Sequence, residues 1–114
     1  MRKTISVDFD GVIHRYSKGW HDGTTYDVPM PGAFEAICKM RLRGYDVVIH
    51  SARPASMIQE WLSVHWPKYP PYGEPPSIAV EKPHAVVYID DRAIRFTDWD
   101  KAWEDLKTHV FLKK

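Results

Sequence analysis

The sequence predicts an α/β domain built on a mainly parallel sheet, and three observations carry that expectation. Short apolar strands alternate with helical patterns along the chain. The strands read as near-continuous apolar runs, as strands covered on both faces do. Each run ends at polar or charged residues, beginning with VDFDGV at 7–12.

The first strand is Thr4 to Phe9 (TISVDF), rich in β-branched residues. Asp10 to Pro31 then forms a connection punctuated by Gly11, Gly19, Gly23, Pro29 and Pro31. Loops of that length in a compact domain usually carry function. Pro31-Gly32 opens a helix whose apolar face is Phe34, Ile37, Cys38 and Leu42, and Gly44 closes it. Tyr45 to His50 is a second strand ending at Ser51-Ala52-Arg53-Pro54. A second helix follows from Ala55 to Trp66, with Met57, Ile58, Trp61, Leu62 and His65 along one side.

The segment WPKYPPYGEPPS at 66–77 is too rich in proline for regular structure and reads as a stiff surface loop. Ile78-Ala79-Val80 is a short strand before Glu81-Lys82-Pro83, and His84 to Ile89 is a fourth before Asp90-Asp91. Asp98 is placed to cap a last helix reaching Lys107, with Trp99, Trp103 and Leu106 as its apolar side. Right-handed crossovers then place helices on both faces of the sheet, a three-layer, Rossmann-like arrangement.

The totals fit one domain spanning 1–114. With 44% apolar residues, 27% charged residues and a net charge of +1, charge alone predicts no nucleic-acid or membrane surface. No apolar run approaches a membrane span of about 20 residues. The basic Arg2-Lys3 start lacks the apolar stretch of a signal peptide, and Cys38 is the single cysteine. A cytoplasmic protein without disulfides or a cysteine-based zinc cluster is expected, with Cys38 packed in the core.

In a parallel sheet the carboxyl ends of the strands share one edge, and ligands bind outside it. That edge receives Asp8 and Asp10 from strand one and Ser51 and Arg53 from strand two. Strand three adds Lys82, and strand four adds Asp90 and Asp91. Four carboxylates with so few cations call for a metal, and hard oxygen donors favour Mg²⁺ over zinc. A carboxylate beside such an ion can attack phosphorus as a nucleophile. Asp10, turned by Gly11, can serve as the acid and base, while Ser51 and Lys82 hold phosphoryl oxygens.

DFDGV at 8–12, Ser51 after an apolar strand, Lys82, and YIDD at 88–91 together resemble the four ordered motifs of the haloacid dehalogenase-like hydrolase superfamily. The resemblance spans residues 5 to about 96. It implies Asp8 as nucleophile and Asp10 as general acid/base. Asp8, the backbone carbonyl of Asp10, and Asp90 would hold Mg²⁺, with Asp91 in support. It also implies a phosphatase rather than a dehalogenase, and a minimal member without a cap domain.

An open site of that kind accepts a phosphorylated small molecule, a nucleotide or a nucleic-acid end. Three other functions are compatible with the residues: a phosphotransferase, a phosphoacceptor signalling domain of the response-regulator type, and a silent metal-binding module. Motif order and Asp10 favour hydrolysis over signalling. Arg53 is expected either to touch substrate or to pair with an aspartate. The loop His14-Arg15-Tyr16 through Trp20-His21-Asp22 mixes aromatic and polar groups beside the nucleophile. Of its two readings, contact with the leaving group or anchoring of the loop by Trp20, anchoring is favoured. Arg92 and Arg95 are expected to be surface or structural. His50, His65, His84 and His109 show no ligand spacing.

Overall fold

A computed structural model describes residues 2–68 and 71–111. Four parallel strands form one sheet in the order β3-β2-β1-β4: β1 Thr4–Asp8, β2 Asp46–His50, β3 Ser77–Ala79 and β4 Val87–Ile89. Helix α1 is Ala33–Leu42, α2 is Ala55–His65 and α3 is Trp99–Leu106, continued by a π-helical turn over Lys107–Phe111. The fold is the expected α/β, Rossmann-like class; among the described residues, 9–32, between β1 and α1, form a loop rather than a cap domain.

The steps β1-α1-β2 and β2-α2-β3 move the same way across the sheet. Right-handed crossovers therefore place α1 and α2 over the same face. Ile5, Val7, Val47 and Ile49 project to that face and are buried with Phe34, Ile37, Ile58, Trp61 and Leu62. On the other face Ser6 is fully buried, and its hydroxyl meets His50 Nδ1 at 2.8 Å. No helix fits into the link from β3 to β4; the short segment 80–86 crosses back instead. From it, Lys82 lays its ammonium 4.4 Å from the Tyr88 ring centroid, and the Tyr88 hydroxyl donates to the Pro83 carbonyl at 2.6 Å.

Two boundaries differ from the sequence reading. β3 begins at Ser77, one residue earlier than expected, and leaves Val80 exposed. β4 is only three residues long, because its pairing partner β1 starts at Thr4. With Ile5 opposite Val87, His84 and Ala85 lie opposite Arg2 and Lys3, before the start of β1. The proline-rich loop folds back on α1. Trp66 is buried against Phe34, its indole N–H donating to the Gly73 carbonyl, and Arg41 donates to the Glu74 carbonyl at 2.6 Å. Tyr69 and Pro70 of that loop lie outside the described residues.

Asp98 caps α3 as expected, its carboxylate accepting the Lys101 amide at 2.8 Å. The apolar side of α3, however, faces outward: Trp99 and Trp103 are exposed and only Ala102 is buried.

Candidate active site

The carboxyl edge of β1 and β2 opens into a cavity of about 360 Å³, with Asp8, Asp10, Ser51 and Arg53 on its wall. Tyr16, Trp20 and Arg92 complete the lining that the chemistry can use. Asp8 ends β1, and one of its oxygens accepts the Phe9 amide at 2.8 Å. Burial pushes the Asp8 carboxyl up to about 6; the Phe9 amide opposes this, and the charges of Asp90 and Asp91 add to it.

One carboxylate oxygen from each of Asp8, Asp90 and Asp91 lies within 4.8 Å of the others. These are hard oxygen donors from two adjacent strand ends, and the charges of Asp90 and Asp91 add to the burial that raises the Asp8 carboxyl. A divalent cation offsets those charges, so the donor set fits a metal of the Mg²⁺ or Ca²⁺ type. Gly11 makes the close approach possible. Its φ of +81° favours glycine, and a Cβ there would collide with the Asp91 carboxylate.

Asp10 is held at both oxygens. Arg53 Nε donates to one at 2.8 Å and His14 Nδ1 meets the other at 2.8 Å. His14 is fully buried, and its Nε2 accepts the Asp27 amide at 3.0 Å. That bond leaves the ring proton on Nδ1, so His14 donates to Asp10 as a neutral imidazole. Arg53 also donates to the Gly23 carbonyl at 2.7 Å and stands over the Tyr16 ring. Of the two roles expected for Arg53, the observed one is pairing with an aspartate while lining the cavity. Ser51 Oγ accepts the Arg53 amide at 3.1 Å, which leaves its own proton free to point elsewhere.

Lys82 is not part of this lining; its ammonium rests on Tyr88, on the sheet face opposite α1 and α2. Arg92 lines the cavity instead, and its guanidinium has no protein partner among the described residues. His14 is a site residue that sequence reasoning placed in the loop beside the nucleophile without a role of its own. Its four-residue spacing from Asp10, across a glycine turn, was the available signal. Trp20 does not anchor its loop as expected: it is 75% exposed and stands at the cavity. The anchors are His14, stacked on Phe9, and Asp27, whose carbonyl accepts the Trp61 indole N–H at 2.9 Å.

No protein-family model and no curated protein matches this sequence. Among solved structures, the chain is similar to one described as the structure of the conserved protein coded by locus from Bacteroides thetaiotaomicron. The two are 22% identical over 95% of this chain and 92% of that one, with a TM-score of 0.50. At that identity the likeness extends to the fold. No helix among the described residues is long and apolar enough to cross a membrane.

Proposed function

We propose that this chain is a phosphomonoester hydrolase of the haloacid dehalogenase-like type, working through an aspartyl-phosphate on Asp8 with Mg²⁺ as cofactor. The observation that carries the reading is the position of Asp8. It lines an open cavity between a second carboxylate, Asp10, and the acidic pair Asp90-Asp91. Asp8, Asp90 and Asp91 would hold the ion, which when bound supplies positive charge that lets an anionic nucleophile meet an anionic phosphoryl group.

In the first step an Asp8 oxygen bonds to phosphorus while the ester P–O bond breaks, and the departing alkoxide takes a proton from Asp10. In the second, Asp10 removes a proton from water, the resulting hydroxide attacks phosphorus, and the Asp8–phosphorus link breaks to release phosphate. Arg53 and His14 act as positioning residues, since their bonds fix where the Asp10 carboxyl lies. Each Asp10 oxygen accepts one bond and keeps a second lone pair that can take the proton. The Ser51 hydroxyl is free to donate to a phosphoryl oxygen. Arg92 already lines the cavity as a cation for the phosphoryl group, whereas Lys82 must leave Tyr88 to reach it.

The test is phosphate release from small phosphomonoesters with Mg²⁺, with chelator, and in Asp8→Asn. Turnover should require the metal and fall by at least ~10³-fold in the variant, which lacks the nucleophile. Undiminished turnover in folded Asp8→Asn would falsify the assignment.

A further inference from the structure

Trp20 sits on the 14–29 loop, and much of that loop's hydrogen bonding serves to fix its shape. Asp27 accepts both the amide and the hydroxyl of Ser17, Asp22 accepts the amide and hydroxyl of Thr24, and the Tyr26 hydroxyl donates to the Gly19 carbonyl at 2.9 Å. The Tyr26 hydroxyl in turn accepts the Lys18 amide at 2.8 Å. Tyr16 is the one non-glycine residue with positive φ among the described residues, at 53°. A loop fixed at this many points presents its tip in a defined place.

At the tip is an indole, 75% exposed, beside the cavity that holds Asp8. One side of the ring rests on Gly23, where a Cβ would come within 3.1 Å of it, and no other aromatic ring packs on Trp20 among the described residues. Gly23 is itself tied to the site, because its carbonyl accepts Arg53, the arginine that holds Asp10. The exposed indole is therefore set relative to the acid/base carboxylate, on the wall of the same cavity of about 360 Å³. Arg92, without a protein partner, lines the same cavity.

We propose that the phosphomonoester taken by this site carries a nucleobase on its leaving alcohol, and that Trp20 selects it by stacking. The proposal rests on the phosphomonoesterase reading above. An exposed indole has no hydrogen-bonding capacity to discriminate sugar hydroxyls beyond a single N–H. It offers instead a π-face, which every base can use regardless of sequence. A net charge of +1 offers a long strand little overall attraction, which favours recognition at the terminal phosphorylated nucleoside itself.

The decisive comparison is between nucleoside 5′-monophosphates and ribose 5-phosphate, which share the leaving primary alcohol and differ in the base. With Mg²⁺, kcat/KM should favour the nucleotides by roughly tenfold or more, the scale of one base–aromatic stack. Trp20→Ala should bring that ratio toward one, and Trp20→Phe should keep most of it. A ratio near one in the native protein, or one that survives Trp20→Ala, overturns the proposal. Calorimetric binding of the same two esters to Asp8→Asn separates this failure from failure of the hydrolase reading. If nothing turns over but the nucleotide binds at least about tenfold more tightly through Trp20, stacking stands and hydrolysis falls. Equal or absent binding sinks the stacking assignment. A 5′-phosphorylated dinucleotide run alongside distinguishes a strand end from a free nucleotide.

Discussion

Ile49 on β2 and Ile89 on β4 flank the same residue, Val7, and face the same side of the sheet. Ile49 is fully buried under the helices, whereas Ile89 is 36% exposed. The contrast runs through the whole molecule. The β1–β2 half is covered by α1, α2 and the aromatic cluster around Trp61, while the β4–α3 half shows Val87, Phe96, Trp99 and Trp103 to solvent. The candidate site straddles the two. Asp8, Asp10, Ser51 and Arg53 stand on the packed half; Asp90, Asp91 and Arg92 stand on the exposed one. The residues proposed to do covalent and proton chemistry thus sit on the packed half, and a bound cation would join it to the other.

The largest expected effect breaks this comparison if it fails. Ile49→Ala should cost about 2–5 kcal/mol in denaturant unfolding, because a fully buried isoleucine leaves a cavity. Ile89→Ala removes less buried surface and should cost roughly half of that or less. Equal costs would mean that β4 is covered in solution, by α3 or by a second copy of the chain.

Next in size is Gly11, where the two halves touch. Gly11→Ala adds about 1–2 kcal/mol for the left-handed backbone and forces Asp91 away from its two acidic neighbours. Gly44→Ala is the control. Its φ is +92° but nothing lies within 4 Å of the added carbon, so it carries the backbone cost alone. Both variants should lose similar stability in chelator, and only Gly11→Ala should also lose the thermal stabilisation given by Mg²⁺. Equal Mg²⁺ responses would show that Asp91 does not belong with the ion.

What the sequence disclosed follows the same division. Strand ends were readable because apolar runs stop abruptly where a parallel sheet meets its crevice, and this located Asp8, Ser51 and Asp90 together. The helix starts at Pro31-Gly32 and at Asp98 were likewise local chemistry. Burial on the exposed half was not readable. The spacing of Trp99, Trp103 and Leu106 describes one side of a helix, but nothing local says whether a partner surface covers that side. The role of His14 escaped because it depends on Asp27 and Asp10 arriving from both sides, a tertiary fact. Trp20 was favoured as an anchor since large aromatics are usually buried, and its exposure at the cavity, likewise a tertiary fact, reverses that expectation.

The smallest effect concerns charge, and its sign is specific. Asp8 titrates near 6 when folded, above the ordinary carboxylate value of 3.8. A raised folded pKa means that ionising Asp8 weakens the native state: its contribution is intact below about pH 4 and is lost as pH rises through 6. Asp8→Asn keeps an oxygen to accept the Phe9 amide and removes the charge. In chelator the variant should therefore melt higher than the native protein at pH 7.5, with the advantage shrinking through pH 6 and gone by about pH 4. Added Mg²⁺ should reverse the order at pH 7.5, stabilising the native chain and leaving Asp8→Asn nearly unmoved. Thermal unfolding across that pH range measures both. If Asp8→Asn were destabilising in chelator at every pH, the ionised Asp8 would be held by a partner rather than disfavoured by its burial and, to a smaller extent, by Asp90 and Asp91.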